Sequence, residues 1–186
     1  MPGIEHVTIT AGPFTLRPPG ISEAADALAM LQDPDVVQWN PAPRVVDLET
    51  AAAWCRRGGD WSSGYHATWS IYGSDDRMLG NLSMYGIDRD DQKLAMIGYR
   101  TAPWARNIGV ASYGVIGACR WAFDVLGIER IELPHVIENP ASCRVAVKAG
   151  FRCEGTMRAQ YRDPSGKRWD CHLHGRLSTD PEPVPT

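Results

Sequence analysis

The sequence lacks several features that would place it in a specialised class of protein. Its five cysteines are odd in number and include no C-x-x-C pair, so neither a disulfide framework nor a zinc site is indicated. No apolar run approaches the roughly 20 residues that span a bilayer, and no basic region followed by an apolar core marks the N-terminus. The net charge of −3 gives no basic excess for general nucleic-acid binding. We therefore expect a protein of the reducing cytoplasm with no metal, membrane or nucleic-acid partner.

The length and composition are those of one ordinary globular domain. A chain of 186 residues, 44% hydrophobic and 22% charged, is long enough to bury a single sizeable core. Residues 179–186 contain three prolines and no core residue, which is typical of a disordered tail. The sequence thus predicts one domain over residues 1–178, followed by that tail.

Hydrophobic patterning predicts strands and helices that alternate along the chain, as in a mixed α/β fold. Residues that alternate between apolar and polar predict strands, and apolar residues at helical spacing predict helices. Residues 35–44 and 158–167 are rich in proline or charge and are predicted as loops. The predicted strands are 8–16, 66–72, 78–87, 94–100, 130–138, 151–157 and 168–177, and the predicted helices include 22–33, 48–57 and 109–126.

The most informative part of the chain is residues 96–155, which read as strand, loop, helix, strand, helix, strand. The helix that opens at Gly109 begins with small residues and has no acidic side chain in its first turn. Its free N–H groups and positive dipole end can therefore accept an anion such as a pyrophosphate. Farther along, Asn139 can cap a second helix that has Pro140 at its first position.

Three motifs in this stretch carry a family resemblance. They are Arg106-x-x-Gly109-x-Ala111, Asn139-x-x-Ser142-x-Arg144-Val145 and Lys148-Ala149-Gly150-Phe151-Arg152-x-Glu154-Gly155. In this order and spacing they resemble the GNAT superfamily of acyl-CoA-dependent N-acyltransferases, most closely its RimJ/RimL-like branch of N-terminal amine acetyltransferases. The resemblance implies a mixed α/β GNAT fold, in which helices flank a twisted, mostly antiparallel sheet splayed between the family's strands 4 and 5. Here those strands are the one ending near Arg100 and the one beginning near Arg130.

The resemblance also implies acetyl-CoA as cosubstrate and assigns the residues that hold it. The residues implied are Met96, Ile97 and Gly98 for the pantetheine arm, Arg106, Asn107, Ile108, Gly109, Val110 and Ala111 for the pyrophosphate, and Asn139 and Ser142 for the arm and the thioester. Asn107 and Ile108 stand where the commoner family pattern has a glycine and a cation. This departure predicts a lower affinity for the diphosphate.

Two residues are the candidates for catalysis. Ser142 lies, by the resemblance, near the thioester sulfur and could protonate the departing thiolate. Many relatives carry a glutamate where this chain has residues 94–96, and none is there. Alternation puts His135 on the core face at the open end of its strand, which makes it the first candidate for the base, although it could equally be a structural core histidine. A water chain could also serve, and weaker candidates for the base are Glu132, Tyr85 and Asp170.

The acceptor is less well defined by the sequence. Trp39, Tyr85 and Tyr161 are the expected substrate-binding residues, although Trp39 could simply plug the core. The resemblance favours a protein N-terminus as the amine. A small-molecule amine, such as an antibiotic or a polyamine, and a non-catalytic acyl-CoA-binding module stay open as alternatives. We expect a monomer or a homodimer.

Overall fold

The computed structural model of the protein describes residues 2–40, 42 and 44–183. Met1 of the expected domain, Pro41 and Pro43 of the expected loop, and residues 184–186 of the expected tail lie outside this part. The strands are β1 (Ile9–Ala11), β2 (Phe14–Arg17), β3 (His66–Tyr72), β4 (Met78–Asp88), β5 (Leu94–Thr101), β6 (Arg130–Val136), β7 (Arg152–Arg162) and β8 (Arg168–Leu177). The helices are α1 (Ala24–Leu31), α2 (Pro34–Trp39), α3 (Leu48–Gly59), α4 (Val110–Leu126) and α5 (Pro140–Lys148).

The strands form one sheet in the order β1-β2-β3-β4-β5-β6-β8-β7. Neighbouring strands are antiparallel except β5 and β6, which are parallel because the crossover through α4 joins them. This pair is joined only at its start, where the last register partners are Met96 and Glu132. Among the described residues, β5 and β6 have no register partners beyond that point, so the two strands diverge. The predicted mixed α/β sheet, splayed between these two strands, is confirmed.

Helix α4 is buried along most of its length and lies close to the sheet. Two of its glycines make this approach possible: an added Cβ would lie 2.9 Å from Ile71 at Gly114 and 2.9 Å from Ala11 at Gly117. The close packing fixes the N-terminal end of α4 beside the diverging strands. No helix in the described part of the chain is long and apolar enough to cross a membrane.

The prediction of a loop over residues 35–44 is wrong in its first half, because residues 35–39 belong to helix α2. The Asp33 carboxylate accepts hydrogen bonds from the N–H groups of Asp35 and Val36 at 3.2 and 3.3 Å, and Pro34 occupies the first helical position. We expected Asp33-Pro34 to end the preceding helix. The same dipeptide is also a good helix start, and here it does both, because α1 stops and α2 begins around it.

The prediction of a loop over residues 158–167 is also wrong in its first half, because residues 158–162 belong to strand β7. It continues to Arg162, and pairing with β8 resumes at Tyr161 after an irregularity that begins at Met157. Ala159, inside this irregularity, has a φ of +51°. The charged residues that suggested a loop lie on a long exposed hairpin, where charge is compatible with a strand.

The first residues of the expected tail pack against the domain. The buried Arg176 donates to Glu182 at 2.7 Å, and Arg120 donates to the same carboxylate at 2.6 Å. Asp180 accepts from the N–H of Leu177 at 2.8 Å. Residues 179–183 are therefore held in place, in contrast to the disordered tail expected there, because their acidic side chains find partners on the domain.

Candidate active site

A cleft of about 600 Å³ lies where β5 and β6 diverge, bounded by α2, the start of α4 and α5. Most of the residues that the sequence analysis selected line this one cleft. They are Trp39, Ile97, Gly98, Arg106, Asn107, Gly109, Val110, Ala111, His135, Asn139 and Ser142. Residues separated by up to a hundred positions in the chain thus meet in one place because the sheet splits there.

Four of the residues assigned to cofactor or substrate binding are not part of the cleft lining. Met96 is the last residue of β5 paired with β6, and Ile108 is 56% exposed. Tyr85 lies beside Gly98, where an added Cβ would be 3.6 Å from the Tyr85 ring. The Tyr161 hydroxyl donates to the Gln38 carbonyl at 3.3 Å. Tyr85 and Tyr161 therefore border elements of the cleft without lining it.

The start of α4 presents backbone N–H groups to the cleft. Gly109 is the N-cap with a φ of +88°, a conformation that favours glycine, and no side chain of the described residues caps this helix end. The first turn contains no acidic residue, and Val110, Ala111 and Ser112 line the cleft. A helix end with this geometry can bind an anionic group.

The cation predicted for this end of the cleft is already paired. The Arg106 guanidinium forms ion pairs with Asp33 and, at 3.1 Å, with Asp35. Its charge is therefore compensated by the start of α2. Two further cations, Arg144 and Lys148 on α5, line the same cleft and can supply positive charge to a phosphate group.

Ser142 lies in a hydrogen-bonded pair that the sequence analysis missed. The Asn139 side chain caps α5 by accepting from the Ser142 N–H at 3.2 Å, and the Ser142 hydroxyl lies 2.7 Å from the Tyr99 hydroxyl. Burial raises the pKa of Tyr99 above its ordinary range, so the phenol stays protonated. Tyr99 lies two residues after Ile97 on β5, so strand alternation could have placed it on the face toward α5.

Arg100 joins the end of α2 to the end of β5. Its guanidinium donates to the backbone carbonyl of Asn40 at 2.9 Å and to the Asn40 side chain at 2.8 Å. The Asn40 amide in turn donates to the Tyr99 carbonyl at 3.1 Å. Burial lowers the pKa of Arg100 to about 10, which leaves the guanidinium charged at neutral pH. These contacts join the residue after Trp39 to Tyr99 and Arg100, so that α2 and β5 are held together at the cleft.

His135 lines the cleft, and both of its ring nitrogens are in polar contact. Nδ1 lies 2.8 Å from the Val136 carbonyl and therefore donates to it, and Nε2 lies 3.2 Å from His174 Nε2. Burial lowers the pKa of both histidines, which favours neutral rings. A role of His135 as base stays a prediction, and it requires Nε2 to leave His174. The weaker candidates have partners too: Glu132 accepts from Arg130 and Asp170 accepts from the Ala159 N–H.

Trp39 brings an aromatic ring to another part of the cleft lining. Trp39 meets Trp169 edge to face, with ring centroids 5.8 Å apart, and the Lys167 ammonium lies 3.3 Å from the Trp169 ring centre. Trp39 therefore lines the cleft and packs against the β7–β8 hairpin at the same time. Both roles considered for it from the sequence are compatible with this position.

Comparison with protein families identifies the class of protein. Residues 14–152 match the model of the GNAT acetyltransferase domain, and the chain belongs to this family. Over 85 residues it is 36% identical to the probable N-acetyltransferase YjcK of Bacillus subtilis (strain 168). That match covers 46% of this chain and 47% of YjcK, so the chain spans about half the length of this curated relative.

Solved structures share the fold at low sequence identity. The ribosomal-protein-S5-alanine acetyltransferase of Vibrio fischeri superimposes with a TM-score of 0.82 at 17% identity, covering 94% of this chain and 98% of that one. Mycobacterium smegmatis RimJ in complex with CoA-disulfide gives 0.79 at 21% identity, covering 93% and 86%. The microcin C7 self-immunity acetyltransferase MccE in complex with acetyl-CoA and AMP gives 0.78 at 17% identity, covering 89% and 93%.

Proposed function

We propose that the protein transfers an acetyl group from acetyl-CoA to a primary amine by direct attack in a ternary complex. The observation that carries this proposal is the Ser142–Tyr99 hydroxyl pair in the cleft between the diverging strands. The same cleft contains the uncapped start of α4. One site thus offers hydroxyl groups for a leaving thiolate and N–H groups for a pyrophosphate. The complexes named for RimJ and MccE support CoA and acetyl-CoA as ligands of such a cleft.

The proposed binding mode follows the two ends of this cleft. Beyond Met96 the edge of β5 has no strand partner on the β6 side among the described residues, so an extended pantetheine arm can pair with it around Ile97 and Gly98. The pyrophosphate then lies at the start of α4, and Asn139 faces the arm from α5. Arg106 is paired with two carboxylates, and Arg144 and Lys148 of α5 contribute further positive charge to the cleft lining.

The proposed chemistry needs two proton movements. The amine nitrogen attacks the thioester carbonyl carbon, the C–N bond forms, the C–S bond breaks and the sulfur leaves as thiolate. Ser142 donates a proton to that thiolate while Tyr99 passes its own proton to Ser142 through their 2.7 Å contact, and the proton lost by the amine restores the Tyr99 phenol through water. The nitrogen loses its proton to water or to His135. Positioning of the two reactants supplies the remaining acceleration.

We favour a protein N-terminus as the acceptor amine. The similarity to the ribosomal-protein-S5-alanine acetyltransferase and RimJ supports this choice. The similarity to MccE, which is named for immunity to microcin C7, supports a small-molecule acceptor as the second candidate. We also propose a cytoplasmic location, which is supported by the free state of all five cysteines. The monomer or homodimer stays a prediction.

An amine panel with a thiol-release assay tests the proposal. Acetyl-CoA is offered with peptides that have free N-termini, the same peptides with blocked N-termini, polyamines and an aminoglycoside. We expect thiol release with the free peptides and none with the blocked ones. Thiol release only with the polyamine or the aminoglycoside would mean that the acceptor is a small-molecule amine. Tight CoA binding by calorimetry with no release from any amine would instead favour an acyl-CoA-binding module.

A further inference from the structure

Three of the chain's five histidines converge beside the cleft. His135 of β6 is the register partner of His172 of β8, and His174 lies two residues farther along the same strand. Residues two apart on a strand share a face, so the three imidazoles lie on one side of the sheet. Cys143 of α5 joins them from above, and one ligand atom from each of the four residues lies within 4.8 Å of all the others.

The spacing of these four atoms is close to that of a metal site. Zinc bonds of about 2.0–2.1 Å to nitrogen and about 2.3 Å to sulfur put the ligand atoms of a tetrahedron about 3.3–3.6 Å apart. The His135 and His174 Nε2 atoms are already 3.2 Å apart. The widest separation allowed by the 4.8 Å limit exceeds the tetrahedral spacing by only a little more than 1 Å, which side-chain rotation can close.

The polar atoms of the cluster are incompletely satisfied. The Nδ1 atom of His172 is buried and has no hydrogen-bond partner among the described residues. A buried polar nitrogen without a partner is unfavourable, which calls for a ligand or a role. The Nδ1 atom of His135 donates to the Val136 carbonyl, which leaves the Nε2 lone pair directed at the cluster. This is the outer hydrogen bond that usually orients a metal-binding imidazole.

We propose that His135, His172, His174 and Cys143 form a binding site for a zinc-class divalent metal ion. Three imidazoles and a thiolate suit such an ion, whereas magnesium and calcium require oxygen ligands that the group does not contain. The ion can enter through the cleft, because His135 lines it.

This site would tie three elements together at the cleft. The ligands come from β6, β8 and α5, and Cys143 directly follows Ser142 in the first part of α5. In the filled site the His135 Nε2 lone pair belongs to the metal, so deprotonation of an acceptor amine passes to water. The cysteine spacing predicted no metal site. Here strand register brings the histidine ligands together, so a C-x-x-C motif is not needed.

The test uses the full chain after treatment with a chelator and its removal. Zn²⁺ is titrated in competition with a chromophoric chelator, and Co²⁺ is used as a spectroscopic substitute. We expect one Zn²⁺ per chain. We also expect the intense visible bands of tetrahedral Co²⁺ together with a near-ultraviolet thiolate-to-cobalt charge-transfer band. Zn²⁺ should also raise the Tm, because it binds only the folded chain.

Matched thiol variants separate this site from surface binding. Cys143→Ser should lose the charge-transfer band and weaken Zn²⁺ binding at least about tenfold, whereas Cys153→Ser, at an exposed cysteine outside the cluster, should behave as wild type. His172→Asn provides a second variant if Cys143→Ser does not fold. Failure of the wild type to retain one Zn²⁺ against the competitor would overturn the proposal, and so would an octahedral Co²⁺ spectrum or a charge-transfer band that persists in folded Cys143→Ser.

Discussion

At the residue scale, the candidate chemistry rests on two hydroxyl groups contributed by different elements. Ser142 is fixed in the first turn of α5 by the Asn139 cap, and Tyr99 is fixed on β5, where Asn40 binds its carbonyl. Their 2.7 Å contact provides a short path for a proton toward the cleft. We therefore propose that both residues act on the leaving thiolate.

Ser142→Ala removes the hydroxyl that we assign to the leaving sulfur. We expect kcat to fall by about tenfold to a hundredfold, the lower part of the range for positioned acid catalysis. The dissociation constant for CoA should change little, since the hydroxyl acts on the departing thiolate. Steady-state kinetics and calorimetry measure the two effects, with Ser178→Ala at an exposed serine as control. Wild-type turnover in Ser142→Ala would leave Ser142 with a structural role only.

Tyr99→Phe tests whether the two hydroxyls act as one unit. It removes the O–H group 2.7 Å from Ser142 and keeps the ring in place. If Tyr99 returns the proton to Ser142, the double variant should lose little more activity than Ser142→Ala alone, because coupled residues are not additive. Losses that multiply in the double variant would mean that the two hydroxyls act separately.

At the element scale, the start of α4 is the part of the cleft that recognises an anion. Gly109 itself is unsuited to a charge test, because its φ of +88° would strain any other residue. Ala111 lies in the same first turn, lines the cleft and has the Cβ from which a side chain can extend. A carboxylate placed there would face the proposed pyrophosphate.

Ala111→Glu should weaken CoA binding at least about tenfold, or about 1.4 kcal/mol, by repulsion between like charges and by bulk. Val125→Glu is the matched control, because Val125 lies in the last turn of the same helix and is 66% exposed. Calorimetry with CoA compares the two variants after circular dichroism has shown that both are folded. Equal affinity for CoA in Ala111→Glu and wild type would show that the pyrophosphate does not bind at this helix end.

The elements that the sequence predicted best are those with local signals. Helix α4 and strand β8 follow from hydrophobic periodicity, and the α5 cap follows from Asn139 before Pro140. Helix α2 was missed because an Asp-Pro pair can end one helix or begin another, and only tertiary packing selects between these. Tyr99 and the histidine cluster were missed for a related reason. Strand register brings the histidines together, and the position of α5 brings Ser142 to Tyr99, and both depend on contacts between residues distant in sequence.

At the scale of the whole molecule, ion pairs join the end of the described chain to the rest of the domain, and one of them involves a buried arginine. The Arg176 side chain is 1% exposed, and Glu182, at 46%, accepts from it at 2.7 Å. Nε and Nη1 of Arg176 have no hydrogen-bond partner among the described residues. Glu182 is therefore the carboxylate on which this buried charge depends.

Glu182→Gln should lower the free energy of unfolding by about 1–3 kcal/mol, because it leaves the Arg176 charge buried without a counter-ion. The cost is below the about 3–5 kcal/mol of fully buried pairs, since solvent screens the half-exposed carboxylate. Glu129→Gln is the control, because it removes the exposed pair with Lys93 and should cost at most about 1 kcal/mol. Urea denaturation measures the unfolding free energy of both variants. An equal loss in the two would mean that the Arg176–Glu182 pair adds no more stability than an exposed pair.

The same pair predicts a pH dependence of stability. Burial acts to raise the pKa of Glu182, but hydrogen bonds from Arg120 and Arg176 outweigh it and hold the pKa below its ordinary value. A lowered pKa in the folded state adds stability above the ordinary glutamate pKa of about 4.3, and this stability is lost as the pH falls through the folded value. The difference in unfolding free energy between wild type and Glu182→Gln should thus be constant above about pH 5 and shrink below it. A difference that grows on acidification would contradict this assignment.

Acetyl transfer to an α-amino group is tested most directly by mass spectrometry of a peptide substrate. The wild-type protein is incubated with acetyl-CoA and a peptide that has a free N-terminus and an internal lysine, and fragment ions locate the added group. We expect one acetyl group, on the α-amino nitrogen, and none on the same peptide with a blocked N-terminus. A peptide that stays unmodified while acetyl-CoA is bound would contradict the proposed function, and acetylation on lysine alone would contradict the protein N-terminus as the acceptor.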